Sequence, residues 1–186
     1  MAQHACPWWL GYTLILPWRR LFHDPSKILS PYVHAGMTAV EPGPGMGYFT
    51  LDLARMVGPS GKVVAVDFQP KMLAALRRRV AGAGLAERVE TLLCTKGSMN
   101  LADLNGKADF VLAFAVVHEL PSARSFFTEM FAVLRHGGLL LLAEPRGHVN
   151  AAAFQAELDA GREAGFTVNP GMDISRSQTA LMEKGG

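Results

Sequence analysis

The run Glu41-Pro42-Gly43-Pro44-Gly45-Met46-Gly47, with Asp67 twenty residues beyond its last glycine, constrains this chain more than any other feature. Before it, Met37 to Val40 is a short apolar stretch that reads as a strand. After it, Tyr48 to Val57 carries apolar residues at helical spacing. Val63-Val64-Ala65-Val66 then reads as a second strand that ends at Asp67. Strand, glycine loop, helix, strand, acid is how an α/β nucleotide site is built. The glycines let the backbone turn sharply and approach a ligand closely, and the acid is placed to take both hydroxyls of a ribose.

Spacing decides which nucleotide. Counted from Gly43 and Gly45, the third glycine of a G-x-G-x-x-G fingerprint would fall on Tyr48, so the dinucleotide pattern fails. No Lys-Ser or Lys-Thr pair follows the loop, which excludes a P-loop. What stands here is acid-x-Gly-x-Gly-x-Gly. A carboxylate opening the loop repels a pyrophosphate and suits an ammonium group. S-adenosylmethionine has an amino acid and a ribose and no phosphate. Glu41, the three glycines and Asp67 together resemble the first motif and the ribose acid of the class I S-adenosylmethionine-dependent methyltransferases. The competing reading of the loop is a glycine-rich structural turn.

The rest of the chain fits one domain of that kind. At 186 residues, 49% hydrophobic and 18% charged, it is long and apolar enough for a real core. A net charge of +2 gives no argument for nucleic acid. Arg77-Arg78-Arg79, after Lys71, reads as a solvated helix face rather than a phosphate patch. Cys6 and Cys94 make neither a disulfide framework nor a zinc pattern, which suits a reducing, cytoplasmic compartment. The N-terminus lacks a basic stretch before its apolar part and is interrupted by Pro7 and Pro17. It makes a poor signal peptide, and Leu10 to Leu16 is too short to span a bilayer.

Residues 1–36 show no α/β rhythm and are dense in Trp, Tyr and Leu, with Ser26 a candidate N-cap. Strands and helices then alternate. Strands are expected at 37–40, 62–67, 89–94, 109–117 and 139–143. Helices are expected at 48–57, 70–82, 122–134 and 150–164, with a loop or short helix over 95–107. Gly137-Gly138 reads as the C-cap signal of the helix over 122–134. Phe166-Thr167-Val168 and Thr179 to Met182 read as two final strands around a Pro-Gly turn, permitting an antiparallel hairpin. The expected fold is α/β, Rossmann-like and doubly wound: a mostly parallel seven-stranded sheet, its last strand antiparallel, with helices on both faces. Residues 1–27 form an apolar N-terminal segment and candidate substrate lid, and 28–186 the cofactor-binding domain.

The resemblance covers roughly residues 28–184. Leu134-Arg135-His136-Gly137-Gly138-Leu139-Leu140 resembles the family's L-x-P-G-G-x-L turn, with His136 in place of the proline. Asp109-Phe110-Val111 resembles its D-x-V strand. The chain is most similar to the small quinone-biosynthesis-like and arsenite-methyltransferase-like branch, without the paired cysteines of the arsenite enzymes. The resemblance implies S-adenosylmethionine as cofactor and S-adenosylhomocysteine as product. Glu41 would face the methionine ammonium. Gly43, Gly45 and Gly47 would give backbone approach, and Asp67 would take the ribose. Phe68 or Gln69 would flank the adenine, with Val116 from the fourth strand beside the cofactor. The family often places an acid after strand three. Cys94-Thr95-Lys96-Gly97-Ser98 has none, so Ser98 or a backbone carbonyl takes that role.

Methyl transfer needs a base only when the acceptor arrives protonated. His118 at the end of strand four is the candidate, with Glu119 orienting it or facing away. His118 read instead as a wall residue leaves catalysis to proximity. Glu144 and His148 are candidates for touching substrate or capping the helix that follows. No close-spaced motif makes His118, Glu144 and His148 a metal site. The expected partner is a small-molecule acceptor, with no membrane span, nucleic acid not expected, and a homodimer as a candidate assembly. Two other readings stand beside this one: a non-catalytic S-adenosylmethionine- or adenosine-binding module, and an RNA or protein methyltransferase. Val117-His118-Glu119-Leu120-Pro121 lacks the Pro-Pro-Tyr/Phe of the amino-methylating nucleic-acid enzymes.

Overall fold

The computed structural model describes residues 22–95 and 97–185. The N-terminal segment through residue 21, which holds most of the candidate lid and Cys6, lies outside them, as does Lys96. The strands are β1 (Thr38–Pro42), β2 (Lys62–Asp67), β3 (Val89–Leu93), β4 (Ala108–Phe114), β5 (Leu134–Pro145), β6 (Phe166–Pro170) and β7 (Ser177–Lys184). The helices are α1 (Pro25–Leu29), α2 (Thr50–Met56), α3 (Pro70–Gly82), α4 (Ala123–Val133) and α5 (Ala151–Glu163). One sheet runs in the order β3-β2-β1-β4-β5-β7-β6. β1 to β5 are parallel, and β7 lies antiparallel between β5 and β6. The expected doubly wound fold, with its late antiparallel strand, is the fold found.

The strands are apolar at both parities because both faces are covered. Val40, Val64, Val66, Val111, Ala113, Leu140 and Leu142 pack with Phe126, Phe127 and Met130 of α4. Their alternates Ala39, Val63, Ala65, Phe110, Leu112, Leu141 and Ala143 pack with Leu53 of α2, Leu73 and Leu76 of α3, and Ile28 and Leu29 of α1.

Three local expectations are corrected. Asp24, not Ser26, caps α1: its carboxylate accepts the Ser26 N–H at 3.0 Å. Pro25 has no N–H to satisfy and its fixed φ suits the first helical position, so the cap falls one residue before it. Helix α4, capped by Ser122, stops at Val133, and Gly137-Gly138 does not cap it. Leu134 is already extended, and the two glycines sit inside β5, where the pairing jumps from Ala108–Leu134 to Phe110–Leu139. A β-carbon at Gly138 would lie 2.9 Å from the Arg135 carbonyl oxygen, so the bulge needs a glycine there. Asp109 ties it down, accepting from Arg135 Nε at 2.6 Å and from the Thr38 N–H at 2.8 Å. Last, β4 ends at Phe114, three residues early. Ala115 turns into the left-handed region at φ +55°, and a 3-10 turn, Val117–Glu119, follows.

Candidate active site

The cleft lies beyond the carboxyl ends of β1, β2 and β4, where chain order reverses in the sheet.

One side is the glycine loop. Gly43 and Gly45 adopt φ +65° and +55°, and Gly43 N–H donates to the Val66 carbonyl at 2.8 Å. A β-carbon on Gly43 would lie 2.7 Å from Val116 Cγ2, whereas one on Gly45 would meet nothing within 4 Å. The first glycine therefore lets β1 and the β4 loop close on each other, and the second faces open space. Gly47, at φ +86°, packs toward Leu76 and does not line the cleft. Glu41 is buried and accepts from Thr50 Oγ1 at 2.5 Å. Arg79 donates to the Met46 carbonyl, so one of the three clustered arginines braces the loop and is not simply solvated.

Asp67 closes the next wall. It accepts the Gln69 N–H at 2.8 Å. Burial pushes its carboxyl up to about 6, against the Gln69 hydrogen bond and with the nearby Glu119 charge adding to the rise. Burial, reinforced by Asp67, pushes the Cys94 thiol up to about 11, so it lines the cleft as a neutral group. Phe68, Gln69 and Val116 line the cleft as the sequence predicts. Ser98 does not. It turns back on Thr95 and Asn100 and lines a separate, smaller cavity with Ser122, Ser125 and Glu129. Tyr48, Phe49, Met72, Met99, Phe114 and Leu120 make the cleft's apolar remainder. None of these was singled out from sequence. Tyr48 and Phe49 read simply as helix-face residues, and Met99 sits in a loop without any pattern.

Glu119, not His118, lines the cleft. His118 stands just behind, held by a group 26 residues away: its Nδ1 lies 2.5 Å from Glu144 Oε2. Glu144 is 0% exposed, and its Oε1 accepts the Val116 and Val117 N–H groups at 3.2 and 2.8 Å. One carboxylate thus shapes the turn after β4 and orients the imidazole. Burial lowers the His118 pKa, but the hydrogen bond and charge of Glu144 outweigh it and hold the ring above its ordinary value. Glu144 caps no helix. That role at α5 belongs to Asn150, which accepts the Ala153 N–H at 2.9 Å. No group of three His, Cys, Asp or Glu among the described residues is arranged to hold a metal.

Known proteins of similar sequence and shape fit this geometry. The methyltransferase domain family matches residues 33–183. An arsenite methyltransferase of Halobacterium salinarum is 33% identical over 109 residues, 59% of this chain and 27% of that protein. A demethylmenaquinone methyltransferase of Lactobacillus johnsonii is 30% identical over 127 residues, 68% of this chain and 49% of that protein. The chain thus spans half or less of these curated relatives. A crystal structure of an S-adenosylmethionine-dependent methyltransferase from Aquifex aeolicus superposes with a TM-score of 0.84 at 25% identity, over 96% of this chain and 98% of that one.

Proposed function

The chain belongs to the class I S-adenosylmethionine-dependent methyltransferases, and from that premise we propose that it methylates a small, largely apolar acceptor. S-adenosylmethionine is its cofactor, and the cleft suits that molecule on chemical grounds. Glu41, Asp67 and Glu119 line it, and no lysine or arginine does among the described residues. Such a lining favours an ammonium and ribose hydroxyls over a phosphate. In this reading Glu41 faces the ammonium, open space over Gly45 admits the ligand to the backbone, Asp67 takes the ribose, and Phe68 and Gln69 flank the adenine. When bound, the cofactor supplies a methyl group already activated by its sulfonium.

The acceptor reading rests on one observation. The acid-led loop shares its cleft with a wall of Tyr48, Phe49, Phe114, Met99 and Leu120. Such a wall gains from burying an apolar or aromatic ring and offers little to a phosphate or a charged polymer. In this reading His118, which stands behind Glu119 on the turn that lines the cleft, is the base for the acceptor's proton. With Nδ1 engaged by Glu144, Nε2 is the nitrogen left to receive it. On the lid reading of residues 1–27, most of which lie outside the described residues, deleting residues 1–21 should leave cofactor binding intact and reduce turnover.

Calorimetry and an acceptor panel test this. S-adenosylhomocysteine should bind and NAD should not, and methyl label should pass to phenols, quinols or related ring compounds. Binding of NAD alone would reject the cofactor assignment. Label passing only to proteins or RNA would reject the small-molecule acceptor.

A further inference from the structure

Glu157 has no place in the mechanism so far, yet it is buried where an apolar residue would ordinarily stand. It lies on α5 between Phe154 and Gly161, also buried, and is 7% exposed. Its Oε2 is sealed from solvent and has no hydrogen-bond partner among the described residues. An acid at such a position costs stability unless it is neutral or serves a neighbour. Its electrostatic neighbours come from other elements: Glu144 on β5, and His118 on the turn after β4. Glu119 on that turn also acts on His118, and the His148 ring stands edge-on to it, 5.6 Å between centroids. Across the α4–α5 contact, Arg124 is engaged by Glu163 and brings Glu157 no cation.

The charge on this cluster is constrained. Two backbone N–H donors and the His118 Nδ1 converge on the Glu144 carboxyl. A second carboxylate behind it would leave two buried anions facing one neutral imidazole. We propose that Glu157 is a positioning residue coupled to His118: a carboxyl that is neutral while His118 is neutral and ionises as His118 is protonated. This rests on His118 being the base. The acceptor's X–H bond breaks and its proton goes to His118 Nε2, while Glu157, protonated on Oε1, the oxygen that is not sealed, releases that proton to solvent. The cluster carries one net negative charge before and after. Loss of the His118 proton and uptake of one by Glu157, each exchanged with solvent, restore the start, so one acceptor proton reaches solvent per methyl transferred. Burial, then the Glu144 charge, raise the Glu157 carboxyl to about 8, and protonated His118 draws it back down, the direction the coupling needs.

The test needs no acceptor. In the cofactor-free protein, the ring nitrogens of labelled His118 and the carboxyl carbon of labelled Glu157 are titrated by NMR. Wild-type Glu157 should titrate far above ordinary glutamates. In Glu157→Gln the His118 midpoint should fall by roughly half a pH unit or more, because a carboxylate that favours imidazolium is gone. An unmoved His118 midpoint overturns the proposal. If the glutamine variant does not fold, the wild-type carbon signal decides, since a Glu157 that titrates below pH 5 also overturns it. With an acceptor in hand, the acid limb of the kcat profile should shift with the His118 midpoint and KM should stay put. A flat pH profile alongside intact NMR coupling would support the coupling and reject His118 as base.

Discussion

Replacing Asp67 by alanine should weaken cofactor binding about ten- to a hundredfold, the worth of roughly 1.5–3 kcal/mol for hydrogen bonds that ribose hydroxyls donate to a carboxylate. The same residue should give the wild type a pH signature. With its carboxyl raised to about 6, Asp67 takes up a proton as pH falls through that value and accepts fewer hydrogen bonds. S-adenosylhomocysteine affinity should therefore drop below about pH 6, and Asp67→Asn should be flat across that range by calorimetry. His118 is separable from it. His118→Ala should cut turnover roughly a hundredfold with little change in cofactor affinity. His118→Asn keeps a hydrogen-bonding side chain without a titrating one. Full activity in the asparagine variant would make the residue a holder of substrate rather than a base.

At the scale of elements, the site depends on the close contact between the β1 loop and the β4 turn. Gly43→Ala adds a β-carbon 2.7 Å from Val116 Cγ2 at a φ of +65° that L residues rarely adopt. It should lower cofactor affinity at least tenfold. Gly43→Ala with Val116→Ala should recover only the part due to the clash, a difference that binding titrations can read. The loop itself was legible in the sequence because its information is local: an acid, alternate glycines, and a strand ending on Asp67. The Gly-Gly pair was misread for the same reason, since a helix cap and a bulge at a strand's start demand the same freedom of φ. Glu144 could not be assigned its partner from spacing. It meets His118 because the parallel register sets Phe114 beside Ala143, and that register depends on how the Arg135–Gly138 bulge takes up slack. Ser98 was misplaced because the turn back on Thr95 has no signature of its own.

Over the whole molecule, burial of acids gives stability a slope with pH. Asp67 moves from 3.8 to about 6 and Glu157 from 4.5 to about 8 on folding. Both bind a proton more tightly when folded, so their contribution is complete below the unfolded values and is lost as pH rises through the folded ones. His118, held above its ordinary value, acts in the same direction. The Tm of the cofactor-free protein should fall between about pH 5 and 8, and Glu157→Gln should remove most of the fall above pH 6. A Tm that stays level or rises over that interval would show that the fold does not hold these acids protonated. Among the described residues no helix is long and apolar enough to cross a membrane.

The place of β7 matters for how the chain is made. Every strand around the cleft precedes Pro145, but β5 gains its outer neighbour only when Ser177–Lys184 has been synthesised, and β6 joins the sheet only through β7. At about 5–20 residues per second on the ribosome, the stretch between Pro145 and Lys184 takes roughly 2–8 s. For that interval the nascent chain can hold a complete cofactor cleft beside the unpaired, leucine-rich edge of β5. Cofactor captured during synthesis would steady that half while the edge waits, and a chaperone that recognises leucine-rich strands would find its target there.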